Sequence, residues 1–317
     1  MSRNKTMRNS FLLFLTACIW GMAFVSQSKG MESMGPFTFN GIRSLLGAGV
    51  VFPVVLVRRN SVKKDAEKAG KDYRKPELKT TLLAGLLCGI FFTSASMSQQ
   101  IGMQYTTVGK AGFITAFYII LVPILGVFLK KKIPWIVWPG AAIACFGMYL
   151  LCMTEESLRI SWGDGLIFLC AVLFAGHILT VDTFAEKTEG VMISFMKLLF
   201  CGVVCTTIAL FLEHPTFGQI EEGLGAILYA GILSCGVAYT LQIIGQKGVN
   251  PTVASLIMSL ESVVSAVAGV AAFKIGLLKT DQTMTARQVI GCVLVFAAVI
   301  LVQLPIPEKG RKQAVTK

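Results

Sequence analysis

Charge is scarce in this chain. Of 317 residues only 15% are Asp, Glu, Lys or Arg, against 54% apolar types, and the mean hydropathy is +0.70. So few charges cannot clothe the surface of a water-soluble globule of this size, which excludes that class. The charge balance is lopsided, with a net +12. Such an excess can mark nucleic-acid binding, but here the basic residues sit in short gaps between apolar runs, where lipid headgroups would meet them. No nucleic-acid partner is therefore expected. Paired cysteine motifs are missing too: the nine cysteines fall inside apolar segments and none forms a CxxC. They read as reduced packing residues, which excludes a disulfide or zinc framework. There is no HExxH and no dinucleotide fingerprint. The near miss GMQYTTVGKA at 102–111 has Gln104 where a phosphate loop needs Gly and Ala111 where it needs a hydroxyl. The sequence thus gives no reason to expect a catalytic residue, a metal site or a cofactor.

What it has instead is a train of apolar segments at about 10–28, 36–57, 80–101, 107–129, 133–153, 163–184, 190–212, 222–245, 250–273 and 286–304. Each approaches the roughly 20 residues that a helix needs to cross a ~30 Å hydrocarbon slab. Helices follow from that length, because a barrel strand would alternate over only ~10 residues. The expected fold is an all-α polytopic membrane protein of ten helices, its first segment read as an uncleaved helix and not a signal peptide. Basic residues collect in alternate gaps: Arg3, Lys5 and Arg8, the 58–79 stretch, Lys130 to Lys132, Lys187, Lys247 and the tail. The opposite gaps hold only Lys29, Arg159, Lys274, Lys279 and Arg287. The positive-inside rule then puts both termini in the cytoplasm, across the plasma membrane. The 58–79 stretch reads as a solvated linker touching anionic lipid, with a regulatory site as the alternative.

The second five segments echo the first five. FLLFLTACIWGMAF (11–24) lies over GLIFLCAVLFAGHI (165–178) at an offset of 154, pairing Phe14 with Phe168 and Trp20 with Phe174. The same offset in the next segment sets Arg43 on Lys197. QIGMQ (100–104) answers QIIGQ (242–246), Thr107-Val108 answers Thr252-Val253, and GAAIACFGMYLL (140–151) resembles GCVLVFAAVILV (291–302). The order is kept throughout, so a duplication is expected, with one five-helix repeat at 10–153, a second at 163–304 and a cytoplasmic tail at 305–317. Five is odd, so the second copy enters the membrane from the opposite face. Inverted repeats allow two exchanged packings, one open to each side, which is the logic of a carrier.

TTVGKAGFITAFYIILVPILG, NPTVASLIMSLESVVSAVAG and Trp20-Gly21 resemble segments of the drug/metabolite transporter superfamily, in particular its ten-helix members with two EamA-type domains. The resemblance covers roughly 10–304. It implies a 5+5 inverted-repeat bundle whose central cavity is lined chiefly by helices 1, 3, 4, 6, 8 and 9, and export of small metabolites or drugs. It departs at Glu261-Ser262, where many relatives have Glu-Pro or Ser-Pro, leaving a proline-dependent bend in helix 9 without its proline.

An ionisable group near the bilayer centre costs about 3 kcal/mol on insertion scales, so each needs a partner, a wet cavity or an escape to the interface. Glu261, about eleven residues and roughly 16 Å into helix 9, is the leading candidate for a proton-coupling or substrate site. A structural Glu held by Ser, Thr or Lys neighbours is the alternative. His177 either binds substrate, relays a proton or simply packs. Lys110, flanked by Gly109, Ala111 and Gly112, either points inward to a carboxylate or snorkels outward. Arg43 and Lys197 read as a structural basic pair satisfied by helix-end carbonyls, with anion binding as the other reading. Gln99, Gln100, Gln104 and Tyr105 of helix 3, with Tyr239, Gln242 and Gln246 of helix 8, either line the cavity or glue helices together. Trp20 and Tyr118 either stack on substrate or pack. Pro123 is expected to kink helix 4, and Gly85 with Gly89 to form a close-packing surface on helix 3. The reading these support is a secondary transporter of a small amphipathic solute such as an amino acid, exported by alternating access, with proton antiport open. A multidrug exporter and, from another class, a membrane enzyme or non-transporting sensor are the alternatives. Membrane lipids and the solute are the expected partners.

Overall fold

Apolar segments with no water to satisfy their amides must close their own hydrogen bonds. In the computed structural model, which describes residues 3–68, 77–105, 108–131, 133–153, 161–276 and 284–303, the regular elements are all helical. In chain order they are α1 (Arg3–Ser33), α2 (Pro36–Lys68), α3 (Leu78–Gly102) and α4, which comes in two pieces (Val108–Thr115 and Tyr118–Phe128). Then follow α5 (Val137–Cys152), α6 (Trp162–Phe184) and α7 (Gly190–Leu212). After a short helix at Phe217–Glu222, α8 starts at Leu224–Leu228, runs through a π-helical stretch (Tyr229–Ala238) and finishes at Tyr239–Gln246. Next come α9, again in two pieces (Pro251–Met258 and Leu260–Lys274), and α10 (Ala286–Gln303). Among the described residues nine helical spans are long and apolar enough to cross a membrane, and Val137–Leu151 of α5 is a shorter tenth.

One expectation fails here. The polar stretch after residue 57 is not a linker at its start, because α2 continues as helix to Lys68. Its residues 61–68, SVKKDAEK, are mostly straight-chain helix formers, so nothing local ends the helix there.

Helix starts are fixed by recognisable chemistry. Ser161 and Asp164 form a reciprocal capping box at α6, and Asn250 accepts from the Thr252 amide where Pro251 opens α9. The free amides at the head of α2 are met from a distance: the Glu213 carboxylate accepts from Phe37 N at 2.9 Å and from Thr38 N and Oγ1 at 2.7 and 2.6 Å.

The two halves pack as a pseudo-twofold pair. α1 lies on α8 as α6 lies on α3, α2 on α8 as α7 on α3, and α1 on α9 as α6 on α4, while α2 meets α7 and α5 meets α10. Individual contacts repeat in the same way. A Cβ on Gly89 would stand 3.0 Å from the Phe200 ring, and one on Gly231 would stand 2.7 Å from Leu46. Gly231 follows Gly89 by 142 residues, the QIGMQ-to-QIIGQ offset, and Phe200 follows Leu46 by 154. Likewise Gly140 abuts Val302 while Gly291 abuts Leu151, each partner 151 residues from its counterpart. Lipid tails offer helices little hydrophobic incentive to associate, so such close approaches carry the packing. The expected Gly85–Gly89 surface is among them, seated on Met196 and Phe200 of α7.

Candidate functional site

Both α4 and α9 are interrupted inside the bundle, α4 at Ala116-Phe117 and α9 at Ser259. The cause in α9 is serine. Ser255, Ser259 and Ser262 each donate to the carbonyl three residues back, at 2.8, 2.7 and 2.8 Å, drawing those carbonyls away from the helical ladder. The missing proline at 262 is thus no obstacle to a break. In α4, by contrast, Pro123 lies within the second piece. The interruption comes earlier, where Phe117 and Ile119 amides bond carbonyls three residues back in tight turns.

Beside the two breaks lies a small cavity of about 40 Å³. α1 contributes Trp20, Ala23, Phe24 and Gln27, α2 contributes Arg43, and α3 contributes Gln99. Thr115 and Tyr118 come from α4, Phe174 and Ile178 from α6, Ser234, Tyr239 and Gln242 from α8, and Met258 and Glu261 from α9. These are the six helices that the resemblance implies, joined by α2. The WG step has a clear purpose in this geometry. Trp20 lines the cavity, while Gly21 lets α1 press onto α9, since a Cβ there would be 2.7 Å from the Glu261 carbonyl oxygen and 2.6 Å from Val264.

Glu261 is only 7% exposed, and its Oε1 accepts from Tyr118 Oη at 3.1 Å. Among the described residues no basic nitrogen lies within ion-pair distance of it. Trp20 and Tyr239 pack with ring centroids 4.6 Å apart, and Gln99 Nε2 donates to Thr115 Oγ1 at 3.2 Å. Other polar atoms of wall residues have no hydrogen-bond partner among the described residues: Trp20 Nε1, Gln27 Oε1, Arg43 Nε and Gln242 Oε1. A buried polar group without a partner costs about 1–3 kcal/mol, a cost that water or a polar solute reaching these groups would relieve.

The remaining sequence candidates divide. His177 is fully buried but off the wall, its Nε2 3.2 Å from Lys197 Nζ. Lys197 in turn sits over the Phe92 and Tyr239 rings, at 4.9 and 4.2 Å from their centroids. Among the described residues no hydrogen bond joins Lys197 or Arg43 to a helix-end carbonyl, and both sit well inside their helices. Gln100 and Gln246 are buried away from the wall. Gln104 and Tyr105 are corrections: α3 ends at Gly102 and both lie exposed outside the cavity. The Lys110 side chain lies outside the described residues. Sequence reasoning passed over Ala23, Phe24, Gln27, Thr115, Phe174, Ile178, Ser234 and Met258. Two of these carried a signal, for Phe174 is the repeat partner of Trp20, and Ile178 that of Phe24, at the offset of 154.

The model of the EamA-like transporter family matches residues 7–153 and again 161–304. The chain belongs to the EamA-like transporter family. This transporter is 26% identical over 298 residues to an uncharacterised transporter of Archaeoglobus fulgidus, covering 92% of this chain and 84% of that one. It is 21% identical over 289 residues to the uncharacterised transporter YoaV of Bacillus subtilis, covering 89% and 92%. A shorter match, 30% identical over 107 residues and covering 34% of this chain and 30% of the other, is to the S-adenosylmethionine/S-adenosylhomocysteine transporter of Chlamydia muridarum. A solved crystal structure superposes with a TM-score of 0.71 at 17% identity, covering 94% of the transporter and 96% of that chain, which speaks for the fold. Family and relatives alike are named as transporters, not enzymes.

Proposed function

We propose that this EamA-like transporter is a secondary exporter of a small amphipathic metabolite, of the amino-acid kind, working by alternating access with Glu261 as a proton-coupling group. The observation that carries the reading is the Tyr118–Glu261 hydrogen bond. It joins the broken helix of one repeat to the broken helix of the other, inside the cavity, with no cation within ion-pair distance of the carboxylate among the described residues. A carboxyl so placed can exchange its partner for a solute amine or a proton, and discontinuous helices at a repeat interface are where carriers bind. The short match to a transporter of S-adenosylmethionine, itself an amino-acid derivative, agrees with this class of solute. We place both termini in the cytoplasm on the distribution of Lys and Arg, with the repeats bounded near 10–153 and 163–304. A multidrug exporter is the second reading, favoured by the ring surfaces of Trp20, Phe24, Phe174 and Tyr239 around a single carboxylate, a setting suited to apolar cations.

Proteoliposomes carrying the purified protein should show saturable solute flux, accelerated by an imposed pH gradient. Glu261→Gln should lower it about tenfold, equivalent to 1.4 kcal/mol, while the melting temperature stays close to that of the parent. Undiminished flux in the variant would remove Glu261 from the mechanism.

A further inference from the structure

The duplication supplies an internal control for one of the buried cations. Arg43 and Lys197 occupy equivalent places, 154 residues apart, and are 3% and 0% exposed. Lys197 is closed in, with His177 Nε2 at 3.2 Å and the rings of Phe92 and Tyr239 over its ammonium. The repeat offsets that carry His177 and Phe92 into the other half, 154 and 142, land on Ala23 and Ser234. Both are small, and both line the cavity together with Arg43. The volume that bulky side chains fill beside Lys197 is thus left open beside Arg43. Its guanidinium keeps one ring contact, Phe39 at 5.2 Å, and among the described residues its Nε has no hydrogen-bond partner. Among the described residues no carboxylate reaches it within 4.0 Å.

A ring contact is worth about 0.5–2 kcal/mol, less than the ~3 kcal/mol of placing Arg in the hydrocarbon centre. The shortfall is what a charge-assisted, two-pronged partner would supply. We propose that Arg43, with Ser234 and Gln242 of the same cavity wall, is the subsite for the solute's carboxylate, so that the transported class is a small carboxylic acid with an apolar body. One guanidinium sharing a cavity wall with a hydroxyl and an amide suits a monoanion. Phosphate dianions, which gather several cations or a helix N-terminus, are less well matched. This rests on the transport reading above for its biological meaning, but not for its chemistry. The Ala23 and Ser234 positions explain why the cavity extends to one cation of the pair and not to the other.

The test is a thermal-shift titration of the purified full-length protein with L-leucine, L-methionine and L-phenylalanine, each set beside its decarboxylated amine and its N-acetyl derivative. Free acid and N-acetyl acid should raise the melting temperature, whereas the amines at equal concentration should not. Arg43→Gln should weaken the acids about tenfold or more, and Arg43→Lys should keep part of the effect, since it retains charge without the fork. Because Arg43→Gln can fail to fold, Ser234→Phe is the second variant. It leaves Arg43 in place, installs the residue type found at the Phe92 position, and should abolish the acid shift. The subsite is overturned if amines stabilise as well as their parent acids, if Arg43→Gln binds the acids like the parent, or if none of the acids binds. Should a cationic dye such as ethidium nonetheless be carried in a Glu261-dependent manner, transport stands without the carboxylate site. Should the acids bind through Arg43 while no solute moves in proteoliposomes, the site stands and the transport reading falls.

Discussion

Tyr118 and Glu261, 143 residues apart, share a hydrogen bond of 3.1 Å, and each lies just past the point where its helix is interrupted. The bond therefore ties the discontinuity of one repeat to that of the other. Interhelical hydrogen bonds within membranes contribute on average about 0.6 kcal/mol, because the separated helices find other partners. Stability alone is a weak reason for a buried phenol–carboxylate pair.

Tyr118→Phe isolates that bond while preserving the ring. The melting temperature of the variant should stay within a few degrees of the parent, matching a change of about 0.6 kcal/mol. Its solute flux should nonetheless fall several-fold, because the carboxylate loses the donor that positions it. If the two residues act as a unit, Tyr118→Phe combined with Glu261→Gln will be no slower than Glu261→Gln alone. Fully additive losses in a proteoliposome assay would mean that they act separately.

Gly21 and Gly49 make a paired test of the packing. A Cβ at Gly21 would meet the Glu261 carbonyl oxygen at 2.7 Å, and backbone of a packed helix cannot withdraw as a flexible side-chain tip can. Gly21→Leu should cost about 1–3 kcal/mol or prevent folding, as overpacked interiors do. Gly49, in the middle of α2, has nothing within 4 Å of the same added atom. Gly49→Ala should raise stability by about 0.5–1 kcal/mol through the loss of backbone freedom in the unfolded chain. Denaturation in detergent reads both, and a Gly21→Leu protein as stable as the parent would show that α1 and α9 do not depend on their close approach at Glu261.

The ten spans were legible because each is a long apolar run with polar punctuation, and the duplication was legible because two helices share the offset of 154. Glu261, Trp20, Tyr118, Tyr239 and Gln242 were legible as polar or aromatic exceptions inside apolar runs, and all five reach the cavity wall. His177 and Gln100 are exceptions of the same kind and do not reach it. Composition cannot report which way a helix is rotated, and in these helices apolar residues occur all round, so no amphipathic face betrays the rotation. Gln104 and Tyr105 failed for another reason: the helix end at Gly102 takes them out of the bundle. The break in α9 was hidden because three serines do what a proline was expected to do.

The repeats also differ at their ends. Lys131, after α4, forms an ion pair with Asp182 near the end of α6, both side chains about one-fifth exposed. The offsets of 145 and 154 carry these two onto Gly276 and Ser28, which cannot form such a pair. At that opposite end α1, α8 and α9 instead border an open groove, lined by residues such as Val25, Lys29, Tyr229 and Ile275. One end of the pseudo-twofold bundle thus carries an ion pair where the other borders an open groove. Partly exposed ion pairs contribute about 0–1 kcal/mol, so Asp182→Asn should barely alter the melting temperature. The same energy applied to an equilibrium between two nearly balanced packings changes their ratio several-fold, since 1.4 kcal/mol is a factor of ten. We therefore expect a cysteine placed at Ile178, on the cavity wall one turn before Asp182, to react several-fold faster with an impermeant maleimide applied from the α6 carboxyl end when Asp182→Asn is present in a cysteine-free background. Exchanging the charges, as Lys131→Asp with Asp182→Lys, should restore the slow rate. Labelling that ignores both changes would mean that the pair decorates the surface and does not hold this end shut.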